Sequence, residues 1–159
     1  MDVINEGYQL FPELSLVFLA YLYVVRKNEL AASALAGGVL TLFIGVMLKK
    51  LNDKYLRDHV SRDVLLRPKG ATDCNTTQKG LCEDDIGMPS IHSMIAGFFA
   101  SKALNANEIK IFLAVSTVPF SRLSKSNSPL LNHGEYGCHI WQQIICGYAI
   151  GFVLGRYVY

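Results

Sequence analysis

Apolar residues gather into five runs along the chain, at about Tyr8–Val25, Leu30–Leu48, Pro89–Ala103, Ile109–Phe120 and Ile140–Tyr159, and polar residues fill the stretches between them. A helix needs about 20 residues to cross a bilayer. The first, second and fifth runs meet that length comfortably. The third and fourth are shorter and carry polar side chains, which is acceptable if those faces look into a bundle and not at lipid. Small residues in Ala31–Gly38, and Gly147, Gly151 and Gly155 in the last run, suit close helix packing and not a cofactor role. The pattern predicts an all-α integral membrane bundle of about five transmembrane helices, forming one domain over residues 1–159.

Composition sharpens this picture. The chain is 51% hydrophobic and 18% charged, with mean hydropathy +0.26, whereas a soluble domain carries about 25% charged residues. The charges also crowd into Lys49–Asp85. A soluble helical protein with a large core is the weaker alternative. Met1–Gly7 holds Asp2 and Glu6 and no basic side chain, so the first run is expected to stay as a span and not to be removed as a signal. With a net charge of +2 and no basic tract interleaved with aromatics, the composition gives no sign of a nucleic-acid partner.

Five crossings put Lys49–Met88 and Ser121–Cys138 on one side, together with most of the basic residues. Positive charge normally marks the cytoplasm, although long loops follow that rule poorly. Two features of the first loop favour the lumen. Asn75-Thr76-Thr77 is a glycosylation sequon, and Cys74 and Cys82 lie eight positions apart, an expected disulfide that needs an oxidising compartment. No zinc-ligand spacing is present. The reading is a multi-pass protein of the endoplasmic reticulum or a related internal membrane, with its large loops lumenal.

Three clusters on that side carry chemistry: Arg67-Pro68, then Gly87-Met88-Pro89-Ser90-Ile91-His92-Ser93, then Ser121-Arg122 followed by His139-Ile140-Trp141-Gln142-Gln143. Pro89 suits the first turn of a helix, and Ser90 with the exposed N–H groups there would make an anion site. His92 at that helix mouth can exchange a proton near neutral pH. Gln143 stands four positions after His139, on the same helical face. Its carbonyl can accept a hydrogen bond from one imidazole nitrogen and leave the other to attack phosphorus. Arg122 can bind phosphate oxygens, and a snorkelling anchor is the ordinary alternative. His59 belongs to no motif and reads as a surface residue.

Together these clusters resemble the type 2 phosphatidic acid phosphatase superfamily, whose pattern is Lys-x6-Arg-Pro, Pro-Ser-Gly-His and Ser-Arg-x5-His-x3-Asp. The similarity is greatest to the dolichyl diphosphatase branch, through Gly-Met-Pro-Ser-Ser-His-Ser and His-Thr-Trp-Ser-Gln-Val, and it covers about Leu48 to Gly155. The resemblance implies that His139 attacks phosphorus, Gln143 orients it, and His92 protonates the leaving oxygen and then activates water. It implies that Arg67, Ser90 and Arg122 hold phosphate oxygens, and that neither metal nor cofactor is needed. The implied substrate is a polyisoprenyl, dolichyl-type diphosphate. A phosphatidate or sphingolipid phosphate is the enzymatic alternative, and an inactive membrane scaffold or lipid-binding relative is the alternative of another class.

The chain departs from the pattern at three places. The first-motif lysine should lie seven positions before Arg67, where Val60 stands, and Arg62 or Arg57 is expected to take its place. Ile91 replaces the glycine of the second motif. Sixteen residues separate Arg122 from His139 in place of five, read as a loop insertion around Lys125-Ser126-Asn127-Ser128-Pro129. His133 in the arginine slot is the weaker alternative. Asp73, Glu83, Asp84 and Asp85 in the first loop read as a solvated lid, and magnesium binding there is the lesser possibility.

Overall fold

A computed structural model of the chain describes residues 11–26, 29–69, 71, 74, 84–122 and 138–157. They form α1 (Phe11–Arg26), α2 (Glu29–Tyr55), the single turn α3 (Arg62–Leu65), α4 (Ile91–Asn105), α5 (Ile109–Thr117) continuing into the 3-10 helix Val118–Arg122, and α6 (Trp141–Tyr157). Among the described residues there is no strand, and Leu66 forms an isolated bridge with Ile86, so the fold is all-α. Each of the five apolar runs overlaps one of the longer helices. By length and hydropathy one stretch of the described residues, Ala31–Tyr55, could cross a bilayer, and Ile109–Phe120 is apolar but shorter.

The second run is longer as a helix than as an apolar segment. It continues from Leu48 to Tyr55 because lysine and leucine are good helix formers. The extra turns also find polar partners, since Lys49 and Asn52 reach across to backbone carbonyls of Ile86 and Met88.

At the centre lies α4. Met94, Ile95, Ala96, Phe98 and Ala100 are sealed from solvent, with α6, α5 and α2 packed around them. The approach of α6 is closest of all. Gly147, Gly151 and Gly155 lie against the backbone carbonyls of Ser90, Met94 and Phe98 respectively, and Gly97 of α4 lies in return against the carbonyl of Tyr148. Both rows repeat every four residues, so they stay on facing ridges of the two helices. A Cβ at any of these four positions would run into backbone. Glycine is required here for space and not for its φ. Gly45 of α2 gives similar room to Ile91 and Met94, each with an atom 3.1 Å from where a Cβ would stand.

The turn after α4 is closed by Asn107, which takes φ 59°; asparagine tolerates this left-handed region better than most residues. Glu108 N–H donates to Ala103 O at 2.8 Å, which satisfies a terminal carbonyl of the helix. The chain then returns as α5, none of whose residues is buried although most of its sequence is apolar. The hydroxyls of Ser116 and Tyr148, 2.7 Å apart, tie α5 to α6.

Alanine in place of glycine inside a helix ordinarily stabilises by about 1 kcal/mol. At Gly151 the added methyl forces α4 and α6 apart, an overpacking cost of about 1–3 kcal/mol. Gly151→Ala is therefore expected to lower the thermal midpoint of the purified protein in detergent; an unchanged or raised midpoint contradicts the close approach.

Candidate active site

The site is built on a small shelf at one end of α4. Residues 65–67 pair with residues 85–88: Gly87 N–H donates to Leu65 O at 2.9 Å, and Arg67 N–H donates to Asp85 O at 3.0 Å. Leu65, Leu66 and Ile86 form the apolar underside, with Val60 and Met88 packed on it. The end of α2 and the residues just after it brace the shelf from the side. Lys49 Nζ donates to Ile86 O at 2.8 Å, Asn52 Nδ2 to Met88 O at 3.0 Å and Arg57 Nη2 to Asp84 O at 3.0 Å.

Next along the chain comes the start of α4. Pro89 does not occupy the first turn as the sequence suggested; Ser90 is the N-cap and Ile91 the first helical residue. Serine is preferred at that position because its oxygen can accept from the orphan N–H groups of the first turn. Here Ser90 Oγ accepts from Ser93 N–H at 3.4 Å and from the Ser93 hydroxyl at 3.0 Å. Ser90 is fully buried, and its own N–H donates to Gln143 O at 3.1 Å. The glycine seam sets this contact, since Gly147 against Ser90 brings the first turn of α6 level with the cap of α4.

Gln143 is the hub. Its Nε2 donates to Val64 O at 3.0 Å and to Leu66 O at 2.5 Å. Its Oε1 lies 3.0 Å from His139 Nδ1 and accepts from Ile140 N–H at 3.4 Å. Two carbonyls can be served only by the NH2 end of the amide, so its orientation follows from the network. The oxygen therefore faces His139, and Nδ1 must carry the proton. In the neutral ring the lone pair then sits on Nε2 of His139. The imidazole is held tightly, because His139 is 2% exposed and Gln143 is sealed. Gly87 lies flat against the Gln143 amide, where any side chain would collide with it.

The other sequence-derived residues fall as follows. Arg67 is 7% exposed and follows Leu66, whose carbonyl binds the hub. His92, half-buried, is the second residue of α4, two positions from the cap that binds Gln143. Both imidazole-bearing segments thus meet at one residue and one end of the bundle. Arg122 ends the 3-10 helix, and its side chain lies outside the described residues. Phe120 and Trp141 meet edge to face at 5.6 Å, which puts that helix end beside the start of α6. Arg62 is not brought in. It pairs with Asp84 at 3.1 Å, with side chains 74% and 81% exposed. His59 is exposed. His133, the insertion around Lys125, the sequon at Asn75 and Cys82, Asp73 and Glu83 lie outside the described residues.

The expected cysteine pairing is overturned as well. Cys74 is bonded to Cys138 and not to Cys82. The two half-cystines are buried with Ala71 in a small apolar cluster, their Cα atoms 5.5 Å apart. Spacing along the chain favoured the near cysteine; folding carries residue 138 back across 64 positions to the same wall. The bond ties the residue before His139 to the segment that follows Arg67.

Three features of the site were not singled out from the sequence: the carbonyls of Val64 and Leu66, the bare face of Gly87, and Lys49. Gly87 stood inside a recognised string but was given no role. The carbonyls have no residue-type signal at all. Searches of family models, of curated proteins and of solved structures find no match to this chain.

Two outcomes test this geometry. Gln143→Glu keeps the shape but replaces an NH2 donor with a carboxylate oxygen facing two carbonyls. It is expected to cost about 1–3 kcal/mol or more, read as a lower thermal midpoint, and an unperturbed variant contradicts the amide assignment. Peptide mapping without reduction is expected to recover Cys74 and Cys138 in one cross-linked species; a Cys74–Cys82 species contradicts the pairing.

Proposed function

We propose that this protein is a multi-pass membrane phosphatase that hydrolyses a lipid diphosphate of the polyisoprenyl type through a phosphohistidine on His139. The observation that carries the reading is the bond from His139 Nδ1 to Gln143 Oε1 at 3.0 Å. It fixes the tautomer that leaves Nε2 nucleophilic, the requirement for attack on phosphorus.

In this reading Nε2 of His139 attacks the terminal phosphorus in line. The bond to the bridging oxygen breaks, and His92 in its protonated form gives that oxygen a proton. The lipid monophosphate leaves. His92, now neutral, takes a proton from water, the resulting hydroxide attacks the phosphohistidine, and inorganic phosphate departs with His139 restored. Arg67 and Arg122 bind the non-bridging oxygens and offset their charge. The Ser90 hydroxyl contributes at the cap of α4, where the helix dipole also favours an anion.

The distribution of polarity supports a membrane setting. Val17, Phe18, Phe43, Leu113, Ile145 and Val153 are all more than half exposed, on four different helices, while Ser90, Ser93, Thr41, Gln143 and His139 are buried. Large apolar side chains outside and polar ones inside suit a lipid surround better than water. All five longer helices cross in this reading. The brevity of α4, 15 residues, is tolerable because its neighbours and not lipid cover most of it. A disulfide beside the site favours the lumenal face, in the endoplasmic reticulum or a related membrane.

Purified protein is expected to release phosphate from a polyprenyl diphosphate faster than from phosphatidate. Equal rates on both sink the narrower substrate assignment. His139→Ala is expected to lose on the order of 10³-fold or more in turnover. It should also lose the acid-labile, base-stable phosphoryl label that the parent acquires; a variant that still takes up label removes His139 as the nucleophile.

A further inference from the structure

We infer that the cleft between α5 and α6 holds the hydrocarbon chain of the substrate, and that it admits one chain and not two. This rests on the phosphatase reading above and assigns the part of the lipid that the phosphate site does not touch.

Helices α5 and α6 both pack on α4. Between them lies a cavity of about 330 Å³. Phe112, Pro119 and Phe120 line one side of it, and Trp141, Ile144 and Ile145 line the other. On α6 these positions, continued by Tyr148, recur at three or four residues, so one helical face supplies the wall. The floor is sealed, with Ile144 2% exposed and Pro119 fully buried. The side is open, because Ile145 is 60% exposed and Ala149, one turn on, is also exposed. In the membrane setting proposed above, a chain enters from the side without crossing water.

The cleft is polar at one end only by proximity. Among the described residues no charged side chain lines it. The hydroxyls of Ser116 and Tyr148 lie 2.7 Å apart and satisfy each other. A phosphate therefore finds no partner between the two helices and has to stay outside them. The end at which it stays follows from the residues that flank the walls. Trp141 comes two positions after His139, Phe120 comes two before Arg122, and their rings meet edge to face at 5.6 Å. Ile144 of the floor adjoins Gln143, which holds the imidazole. An amphiphile whose anionic end is at His139 thus has this cleft as its next apolar neighbour. That continuity favours the substrate's own chain over a bystander lipid, which has no use for the imidazole.

The restriction to one chain has a structural basis. The two helices are tied at the near end by the ring pair and about two turns of α6 further on by the hydroxyl pair. Widening the cleft would break one tie or the other. Its volume is at the lower end of the about 300–1,000 Å³ usual for small-molecule sites. A chain that leaves lipid for this cleft exchanges one apolar medium for another, so the hydrophobic effect contributes little and selection works through shape and packing. A polyisoprenyl diphosphate presents a single chain beside its head, whereas phosphatidate presents two.

The test photolabels the full chain in detergent with a polyprenyl diphosphate that carries a diazirine on the chain close to the diphosphate. Label is expected in the peptides that span residues 112–120 and 141–149. Label confined to other helices, or no label, overturns the proposal. Phosphatidate with a diazirine on one acyl chain is expected to label these peptides far more weakly, and equal labelling overturns the restriction to one chain. Ala149→Phe, which fills the open side, is expected to reduce the label and to raise KM for the diphosphate roughly 10-fold. Val153→Phe, a turn further along α6 and outside the cleft, is expected to match the parent. Folded Ala149→Phe protein that takes up label as the parent does overturns the proposal, as does an equal loss in Val153→Phe. Label in the cleft of a parent that releases no phosphate sinks the phosphatase reading alone, and the chain site still stands.

Discussion

The contact between α4 and α6 sets everything else in place. Three glycines on one helix meet three carbonyls on the other at a spacing of four residues, and a fourth glycine answers from the opposite side. Such a seam has one register, since sliding by one residue would drive a side chain into backbone. Because Gly147 is level with Ser90, Gln143 one turn earlier must be level with the cap of α4, and the hydrogen bond between Ser90 N–H and Gln143 O follows. The imidazole of His139 is then positioned by a side chain whose own position is fixed by backbone contact. Close packing of small residues is here the origin of the site's geometry as well as of the fold's cohesion.

The surroundings of residue 143 also explain why an amide and not a carboxylate stands there. The two carbonyls of Val64 and Leu66 point at it from the shelf and need donors. An aspartate could orient an imidazole but would face those carbonyls with negative charge. The amide satisfies both demands, donating on one side and accepting on the other. The glycine at position 87 completes the arrangement by leaving room for the amide to lie flat. Three backbone segments, around residues 64–66, 87 and 140, therefore converge on a single neutral side chain, and Ser90 bonds the main-chain carbonyl of the same residue.

Much of the helix layout was legible in the sequence because the apolar runs are long and the loops between them polar. The four-residue spacing of His139 and Gln143 likewise announces a local contact, and that hydrogen bond is present. What could not be read depends on long-range approach. The extension of α2 to Tyr55 reflects partners on a loop more than thirty positions away. The pairing of Cys74 depends on where residue 138 returns, which no spacing rule encodes. Pro89 seemed suited to a first helical turn, yet the serine after it makes the better cap, and local propensity alone does not choose between them. Arg62 looked close to the motif in sequence but is held at the surface by an acidic neighbour from the loop.

The bond between Cys74 and Cys138 constrains threading. Between its two ends the chain travels through α4, the turn at Asn107 and α5. A covalent link closes that excursion into a ring, so the path must finish on the side where it started. In the membrane setting proposed above, helices α4 and α5 would therefore enter the bilayer as a pair or stay out of it as a pair, whatever the hydropathy of either helix taken alone.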